Sequence, residues 1–134
     1  MKIDAFFINE ATTEGVTVRV SPNFLPEQSQ IDQRRWFWSY HIRIENSSDR
    51  IVQLVSRHWQ ITDGRGNVHH VDGDGVIGEQ PVLKPGEAHD YVSGCPLPTP
   101  HGNMEGHYLM AHGDDETFLA IIPRFSLIAP ATAR

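Results

Sequence analysis

The most constraining feature of the sequence is a strict alternation of large apolar and mostly polar side chains between residues 36 and 45. The apolar or aromatic positions are Trp36, Trp38, Tyr40, Ile42 and Ile44, and Phe37, Ser39, His41, Arg43 and Glu45 stand between them. A period of two residues is that of a β-strand with one face buried. The pattern therefore predicts a long strand, the clearest in the chain.

Further strand-like runs follow at intervals of about ten residues, and no helical periodicity of convincing length accompanies them. They read GVTVRVS (15–21), VQLVSRHWQIT (52–62), VHHV (68–71), EAHDYVS (87–93), HYLMAH (107–112) and TFLAIIPRFSL (117–127). Pro22 is expected to stop the first of them. Residues 63–67, DGRGN, predict a hairpin turn. About seven strands joined by glycine- and proline-rich turns predict an all-β fold, an antiparallel immunoglobulin-like or fibronectin type III-like β-sandwich.

Length and charge bound the organisation of the chain. Its 134 residues predict a single domain over residues 1–134, with peripheral termini at 1–14 and 128–134. The net charge of −6 without a basic block argues against a nucleic-acid partner. No membrane span and no signal-peptide pattern is visible, so a cytoplasmic location is expected. The single cysteine, Cys95, lies between Gly94 and Pro96, where a turn and a passive thiol are expected.

The stretch VDGDGVIGEQP contains Gly73, Gly75 and Gly78 in the G-x-G-x-x-G spacing of dinucleotide-binding loops. Such a loop requires a following helix to hold the phosphates, and Pro81 and Pro85 forbid one here. The glycines therefore predict a tight exposed loop between two strands. Carboxylates at Asp72, Asp74 and Glu79 disfavour an unaided phosphate but would suit a divalent cation, alone or bridging to a pyrophosphate. We call residues 72–80 the glycine loop.

Several short motifs resemble the ApaG family over most of the chain, from about Val16 to Leu127. They are Ser56-Arg57-His58-Trp59, Gly78-Glu79-Gln80-Pro81, Pro85-Gly86-Glu87, Ser93-Gly94, Thr99-Pro100 and Gly102-Asn103-Met104-Glu105-Gly106. The resemblance implies a fibronectin type III-like β-sandwich and brings no established enzymatic activity. It also implies an association with cobalt resistance and magnesium efflux, and a protein-interaction role like that of related domains in some eukaryotic F-box proteins and a polymerase-delta-interacting protein.

Catalytic and metal sites find little support in the sequence. His101, His107 and His112 form the best local histidine group, but His107 and His112 point to opposite faces of a regular strand. Ser56 and His58 could form a nucleophile and base pair, but the sequence shows no acidic residue that would orient His58. No catalytic residue, cofactor or metal site is predicted. Trp59 is expected to be a core anchor, with Arg57 and His58 either packing beside it or forming a recognition patch.

The sequence therefore predicts a non-enzymatic β-sandwich module that binds an unknown protein. Its interaction candidates lie in the glycine loop, in the proline-rich segment at residues 94–106 and on the predicted strand at residues 52–62: Arg57, His58, Asp72, Asp74, Glu79, Thr99, Pro100, Gly102, Asn103 and Met104. The alternative is a sensor that binds pyrophosphate, a nucleotide or a divalent cation at Gly73, Gly75 and Gly78. Exposed sheet edges also predict a weak homodimer.

Overall fold

The computed structural model describes residues 9–113 and 115–134, and almost all regular structure in them is β-strand. The described residues form nine strands: β1 (Asn9–Thr13), β2 (Val16–Phe24), β3 (Trp36–Asn46), β4 (Val52–Asp63), β5 (Val68–Asp74), β6 (Val82–Leu83), β7 (Ala88–Leu97), β8 (His101–Ala111) and β9 (Thr117–Ile128). Short 3-10 turns at Pro26–Gln28, Ile31–Gln33 and Ala131–Ala133 are the only helical elements in this part of the chain. No described helix is long and apolar enough to cross a membrane. The cytoplasmic location stays a prediction.

The strands form two antiparallel sheets. The first sheet has the order β1-β2-β3-β7, and the second has the order β5-β4-β8-β9 with β6 pairing beside β4. Because β3 pairs with β7 and β4 pairs with β8, the chain alternates between the sheets in the Greek-key manner of immunoglobulin-like sandwiches. The predicted fold class is confirmed; the strands beyond the predicted seven are β1 and the two-residue β6.

The core lies between the two sheets and follows the alternation seen in the sequence. Burial in β3 alternates without a break from Trp36 to Asn46, as that pattern predicts. Trp59 of β4 is 3% exposed and packs edge-on against Tyr40, with 5.4 Å between ring centroids, which confirms it as a core anchor.

Two turn predictions differ from the structure. Pro22 does not stop β2, which continues to Phe24. Its nitrogen faces away from β3, so the missing N–H group removes no hydrogen bond to that strand. Cys95 is not in a turn either, since it lies in β7 opposite Trp38 and is 2% exposed. Burial raises the pKa of this thiol to about 11.

The chain ends are more integrated than the sequence predicts. Residues 9–13 form an edge strand paired with β2. At the other end Ala133 is buried, and its carbonyl oxygen accepts a hydrogen bond from the Trp36 indole. The small side chains near the C-terminus gave no periodic signal for this docking, whereas the tryptophan needs an acceptor for its buried N–H.

The two sides of the sandwich differ. On one side β9 lies close to the first sheet, where the Ile121 amide donates to Thr13 Oγ1 at 3.2 Å. On the other side the edges are β7 in the first sheet and β5 in the second, and neither pairs with a further strand among the described residues. Every residue of β5 except Gly73 is exposed. This side of the sandwich is therefore open.

Candidate functional site

A cleft lies at the open side, between the edges of β5 and β7. Its larger part has a volume of about 390 Å³ and its smaller part about 220 Å³. Tyr40, Arg57, Trp59 and Ser93 line both parts, so the two form one continuous depression. We call it the edge cleft. Its size and its mixture of aromatic and polar groups are those of a binding site.

Arg57 stands in the wall of the edge cleft, in the middle of a cross-strand row. It lies opposite Gly73 of β5 on one side and opposite Tyr108 of β8 on the other. Its Nη1 donates hydrogen bonds to the carbonyl oxygens of Asp74 and Gly75, at 3.0 and 2.8 Å. No carboxylate of the described residues forms an ion pair with it. Arg57 is thus a cation that two backbone carbonyls hold in position and that no described carboxylate neutralises.

Hydroxyl groups gather around this cation. Tyr91 and Tyr108 share a short hydrogen bond between their hydroxyls, and Tyr40 and Ser93 line both parts of the edge cleft. Burial raises the pKa of all three tyrosines, which outweighs the lowering effect of Arg57. The hydroxyls therefore keep their protons at neutral pH and can serve as hydrogen-bond donors beside the guanidinium.

The larger part of the edge cleft is mostly apolar. Besides the shared residues, its lining consists of Ile61, His69, Val71, Gly94, Cys95, Pro96, Leu97, Pro98 and Met104. Trp59 and Met104 are 3% and 1% exposed, so they form its floor, whereas Val71 is 41% exposed at its rim. An apolar floor with an accessible rim can receive an apolar side chain from outside.

The glycine loop borders the smaller part of the edge cleft. Val76 and Glu79 exchange backbone hydrogen bonds of 2.8 and 3.0 Å around Ile77 and Gly78, which both have positive φ angles of 48° and 75°. Two positive φ angles define a type I′ turn, in which a β-branched residue is unfavourable. Ile77 nevertheless occupies the first central position and is 62% exposed. No helix follows the loop, as Pro81 and Pro85 predict.

Each glycine of the motif has its own structural reason. A Cβ at Gly73 would lie 2.7 Å from Cζ of Arg57, and one at Gly75 would overlap the Glu79 carbonyl oxygen. Gly78 supplies a positive φ and has open space around it. The amides of Gly75, Val76 and Glu79 already donate to backbone carbonyls. These three amides are therefore not available to a phosphate.

Two of the acidic candidates lie on β5, where Asp74 also lines the smaller part of the edge cleft. By the register, Asp72 and Asp74 pair with His58 and Ser56 on the outer face of the second sheet. Asp72 Oδ1 lies 2.6 Å from Nδ1 of His58. His58 therefore belongs to the outer face and Arg57 to the cleft. The sequence left open whether these neighbours pack or form one patch, and the structure places them on opposite faces of β4.

Glu79 lies elsewhere on the surface. Its Oε2 is 3.6 Å from Nε2 of His89, beside a depression of about 630 Å³ between β6 and the start of β7. That depression is larger than the edge cleft but lacks aromatic side chains other than His89. Its lining offers little apolar area for a partner to bury.

The proline-rich segment is mostly strand, and only residues 98–100 form a turn between β7 and β8. Thr99 is 6% exposed and holds this turn: its Oγ1 accepts a hydrogen bond from Gly64 N and donates one to His101 O. Gly102 lies against β4, where a Cβ would overlap the Thr62 carbonyl oxygen. Thr99 and Gly102 thus have an internal packing role, and their part in a contact surface stays a prediction.

The remaining candidates of this segment lie nearby. Pro100 and Asn103 are half-buried, and the Pro100 carbonyl accepts a hydrogen bond from the Ala129 amide. Met104 has no outer surface but reaches the floor of the edge cleft. Pro96 and Pro98 line one end of the cleft and Gly78 lies at the other. The glycine loop and the proline-rich segment thus lie at two ends of one depression.

The structure also assembles a histidine row that the sequence did not predict. On the outer face, the His58 ring stacks between those of His70 and His107, with centroid distances of 5.3 and 5.0 Å. These histidines come from β4, β5 and β8, and only the strand register brings them together. His101 and His112, by contrast, do not join His107. Among residues 9–113 and 115–134, no group of three histidine, cysteine or acidic side chains is arranged to hold a metal ion.

The strand order and the edge cleft define the class of the protein as a fibronectin type III-like β-sandwich with one open side. The chain belongs to the ApaG domain family, whose model matches residues 26–112. It is 53% identical over 125 residues to Protein ApaG of Methylobacterium sp. (strain 4-46), covering 93% of this chain and 96% of that one. It is also 53% identical over 118 residues to Protein ApaG of Rhodospirillum centenum, covering 88% and 91%.

A solved structure shares the fold. The putative ApaA protein from Bordetella pertussis superposes with a TM-score of 0.83 at 45% identity, over 87% of this chain and 94% of that one. The resemblance seen in the sequence motifs is therefore confirmed across nearly the whole chain.

Proposed function

We propose that this chain is a non-enzymatic binding module that holds another protein in the edge cleft. The observation that carries the proposal is the open side of the sandwich, where the edges of β5 and β7 flank an aromatic-lined depression. The depression contains Arg57, with which no carboxylate of residues 9–113 and 115–134 forms an ion pair. A sheet edge with unpaired backbone groups can pair with a strand of another chain, and native proteins usually protect such an edge with charges, prolines or a covering segment.

A strained, exposed residue at the mouth of the cleft supports the same function. Ile77 retains an apolar β-branched side chain at a position that favours asparagine or glycine. Backbone strain of this kind concentrates at binding sites, where the contribution of the side chain to binding outweighs the conformational energy that the strain costs. We interpret Ile77 as an apolar contact for the partner.

Site-specific photo-crosslinking in cells tests the proposal. A photoreactive phenylalanine replaces Ile77 at the cleft mouth or, as a matched control, Ile128 at the end of β9, where the wild-type side chains are 62% and 56% exposed. We expect a discrete partner to crosslink in near-stoichiometric yield from position 77 and not from position 128. The same diffuse set of proteins at both positions would contradict the proposal.

The alternative function, a sensor of pyrophosphate, nucleotide or divalent cation, has one observation in its favour. Asp72 and Asp74 are exposed on the same face of β5, two residues apart. The thermal unfolding midpoint with pyrophosphate, ATP, Mg²⁺, Co²⁺ or Zn²⁺ tests it, since a ligand at about 100 times its dissociation constant adds ~2.7 kcal/mol of stability. We expect no shift. A saturable shift that Asp72→Ala abolishes would make the sensor the better proposal.

A further inference from the structure

We propose that the occupant of the edge cleft is an extended acidic segment of the partner protein, which adds to β7 as a further strand and places a carboxylate on Arg57. This inference rests on the proposed function and names the chemistry of the partner. Three features of the cleft support this inference. They are the free backbone groups of β7, the two guanidinium nitrogens of Arg57 for which the described residues provide no acceptor, and the apolar floor beside Arg57.

The register identifies which backbone groups of β7 are free. Asn46 N donates to Glu87 O, and every second pair along β3 and β7 repeats this relationship, so Tyr91, Ser93 and Cys95 face β3. The amide and carbonyl groups of Asp90, Val92 and Gly94 therefore face the open edge. Pro96 follows without an N–H group, which ends the row of donors. An added strand would find its donors at Asp90, Val92 and Gly94.

The charges favour β7 over β5 as the edge for an acidic segment. The backbone groups of β5 that face away from β4 belong to His70, Asp72 and Asp74, and the Asp74 carbonyl already accepts a hydrogen bond from Arg57. Two exposed carboxylates, those of Asp72 and Asp74, stand along that edge. The carboxylate on the β7 edge, Asp90, is neutralised by Arg43 at 2.6 Å and lies 2.8 Å from Nε2 of His41. An incoming acidic strand is therefore repelled less by β7 than by β5.

Arg57 provides the specific contact. Its Nη1 is held by two carbonyl oxygens, while the described residues provide no acceptor for its Nη2 and Nε. These two nitrogens are the donors with which arginine binds a carboxylate in a bidentate manner. The hydroxyl of Ser93, on the neighbouring edge strand, lines the same depression. A carboxylate at this point would neutralise the cation and use its free donors.

The apolar part of the cleft fixes the spacing of the segment. Trp59 and Met104 lie beside Arg57 in a volume of about 390 Å³, enough for one large side chain. Alternate residues of an added strand point to the same face, so the acidic residue and an apolar residue two positions away would both face the cleft. The expected motif is acidic–any–apolar or apolar–any–acidic.

Selection from a library of random 12-residue peptides tests the inference. The target is the full chain, compared with Arg57→Gln and with Arg124→Gln, a matched charge change on β9 whose nearest acid is 3.8 Å away. We expect wild type and Arg124→Gln to enrich peptides with the acidic–apolar spacing, and Arg57→Gln to lose affinity for them at least tenfold. Thermal unfolding verifies that each variant is folded.

A second variant tests strand addition apart from charge. Val92→Pro removes an N–H group that faces the open edge. It leaves every hydrogen bond between β7 and β3 in place, because this N–H group does not face β3. We expect this variant to bind the selected peptides with at least fivefold lower affinity, while peptides with an acidic residue are still preferred. Unchanged affinity in Val92→Pro overturns the added strand.

The remaining outcomes separate this inference from the proposed function. The acidic assignment is overturned if the peptides bind Arg57→Gln and wild type with equal affinity. It is also overturned if no peptide is enriched. A partner still crosslinked through position 77 would then leave the binding function standing. If sedimentation shows a dimer that the peptides dissociate, the edge belongs to a second copy of this chain, and a heterologous acidic partner is ruled out.

Discussion

Arg57 and Gly73 face each other across β4 and β5, and the guanidinium of Arg57 occupies the space that a side chain at Gly73 would fill. The first glycine of the motif thus matters because it leaves room for a cation, and the motif has this role without any nucleotide. The relationship makes the effect of substitution at Gly73 specific to the edge cleft.

Gly73→Ala is expected to displace Arg57 while leaving the fold intact. The added Cβ would meet the far end of a flexible side chain, 2.7 Å away, so the guanidinium moves and the backbone does not. We expect a loss of less than about 1 kcal/mol in the free energy of unfolding and a clear loss of peptide affinity. Gly64→Ala, whose Cβ would meet the His101 ring at 2.6 Å, is the matched control and should keep full affinity.

Gly75→Ala is expected to disrupt the glycine loop itself. Here the Cβ would overlap the carbonyl oxygen of Glu79, a backbone atom, and the residue has a φ of +60°. Gly78→Ala also adds a side chain at positive φ but into open space, and should cost about 1–2 kcal/mol. Urea unfolding should show a clearly larger loss for Gly75→Ala; equal losses would contradict the close contact.

Trp59→Ala is expected to lower the free energy of unfolding by about 3–5 kcal/mol. The indole packs against Tyr40 and Phe125, with centroid distances of 5.4 and 6.0 Å, and its removal leaves a cavity between the sheets. His58→Ala, on the outer face next in sequence, is the control and should change the urea midpoint little. An unchanged midpoint in Trp59→Ala would show that this position is not part of the core.

Ile77→Asn is expected to stabilise the protein and weaken binding. Asparagine followed by glycine is the preferred pair for a type I′ turn, and Gly78 is already in place, so relief of the unfavourable backbone should add about 0.5–2 kcal/mol. The selected peptides should bind this variant less tightly because an apolar contact is lost. A stabilised variant with unchanged affinity would contradict the role of Ile77 in binding.

Stability is expected to fall as pH rises above about 10. Burial raises the pKa of Tyr40, Tyr91 and Tyr108, so in this range the unfolded chain loses tyrosine protons that the folded chain retains. The contribution is fully present below the unfolded pKa of about 10 and decreases by about 1.4 kcal/mol per pH unit for each such tyrosine. Urea unfolding at about pH 8 and about pH 10.5, on either side of that unfolded pKa, measures it, and Tyr91→Phe should reduce the pH dependence.

Parts of the architecture could be predicted because they depend on local pattern. The alternation from Trp36 to Ile44 predicts both the strand and its buried face, and the DGRGN turn predicts the pairing of β4 with β5. Pro81 and Pro85 exclude the nucleotide-binding helix. Pro22 misled the prediction because a proline stops a strand only where its missing N–H would have been paired, which depends on the neighbouring strand.

The edge cleft was decided by strand order. Arg57 and His58 are adjacent in sequence, yet one faces the edge cleft and the other the outer face, and only the register with β5 and β8 shows which. The sequence by itself determined the strands and the core, because a period of two residues separates buried from exposed side chains, and its short motifs identified the family by resemblance. Only the tertiary structure left one edge of β5 and one edge of β7 without a further strand from the described part of the chain, and placed a cation between them. Edges and clefts of this kind arise from contacts between residues far apart in the chain.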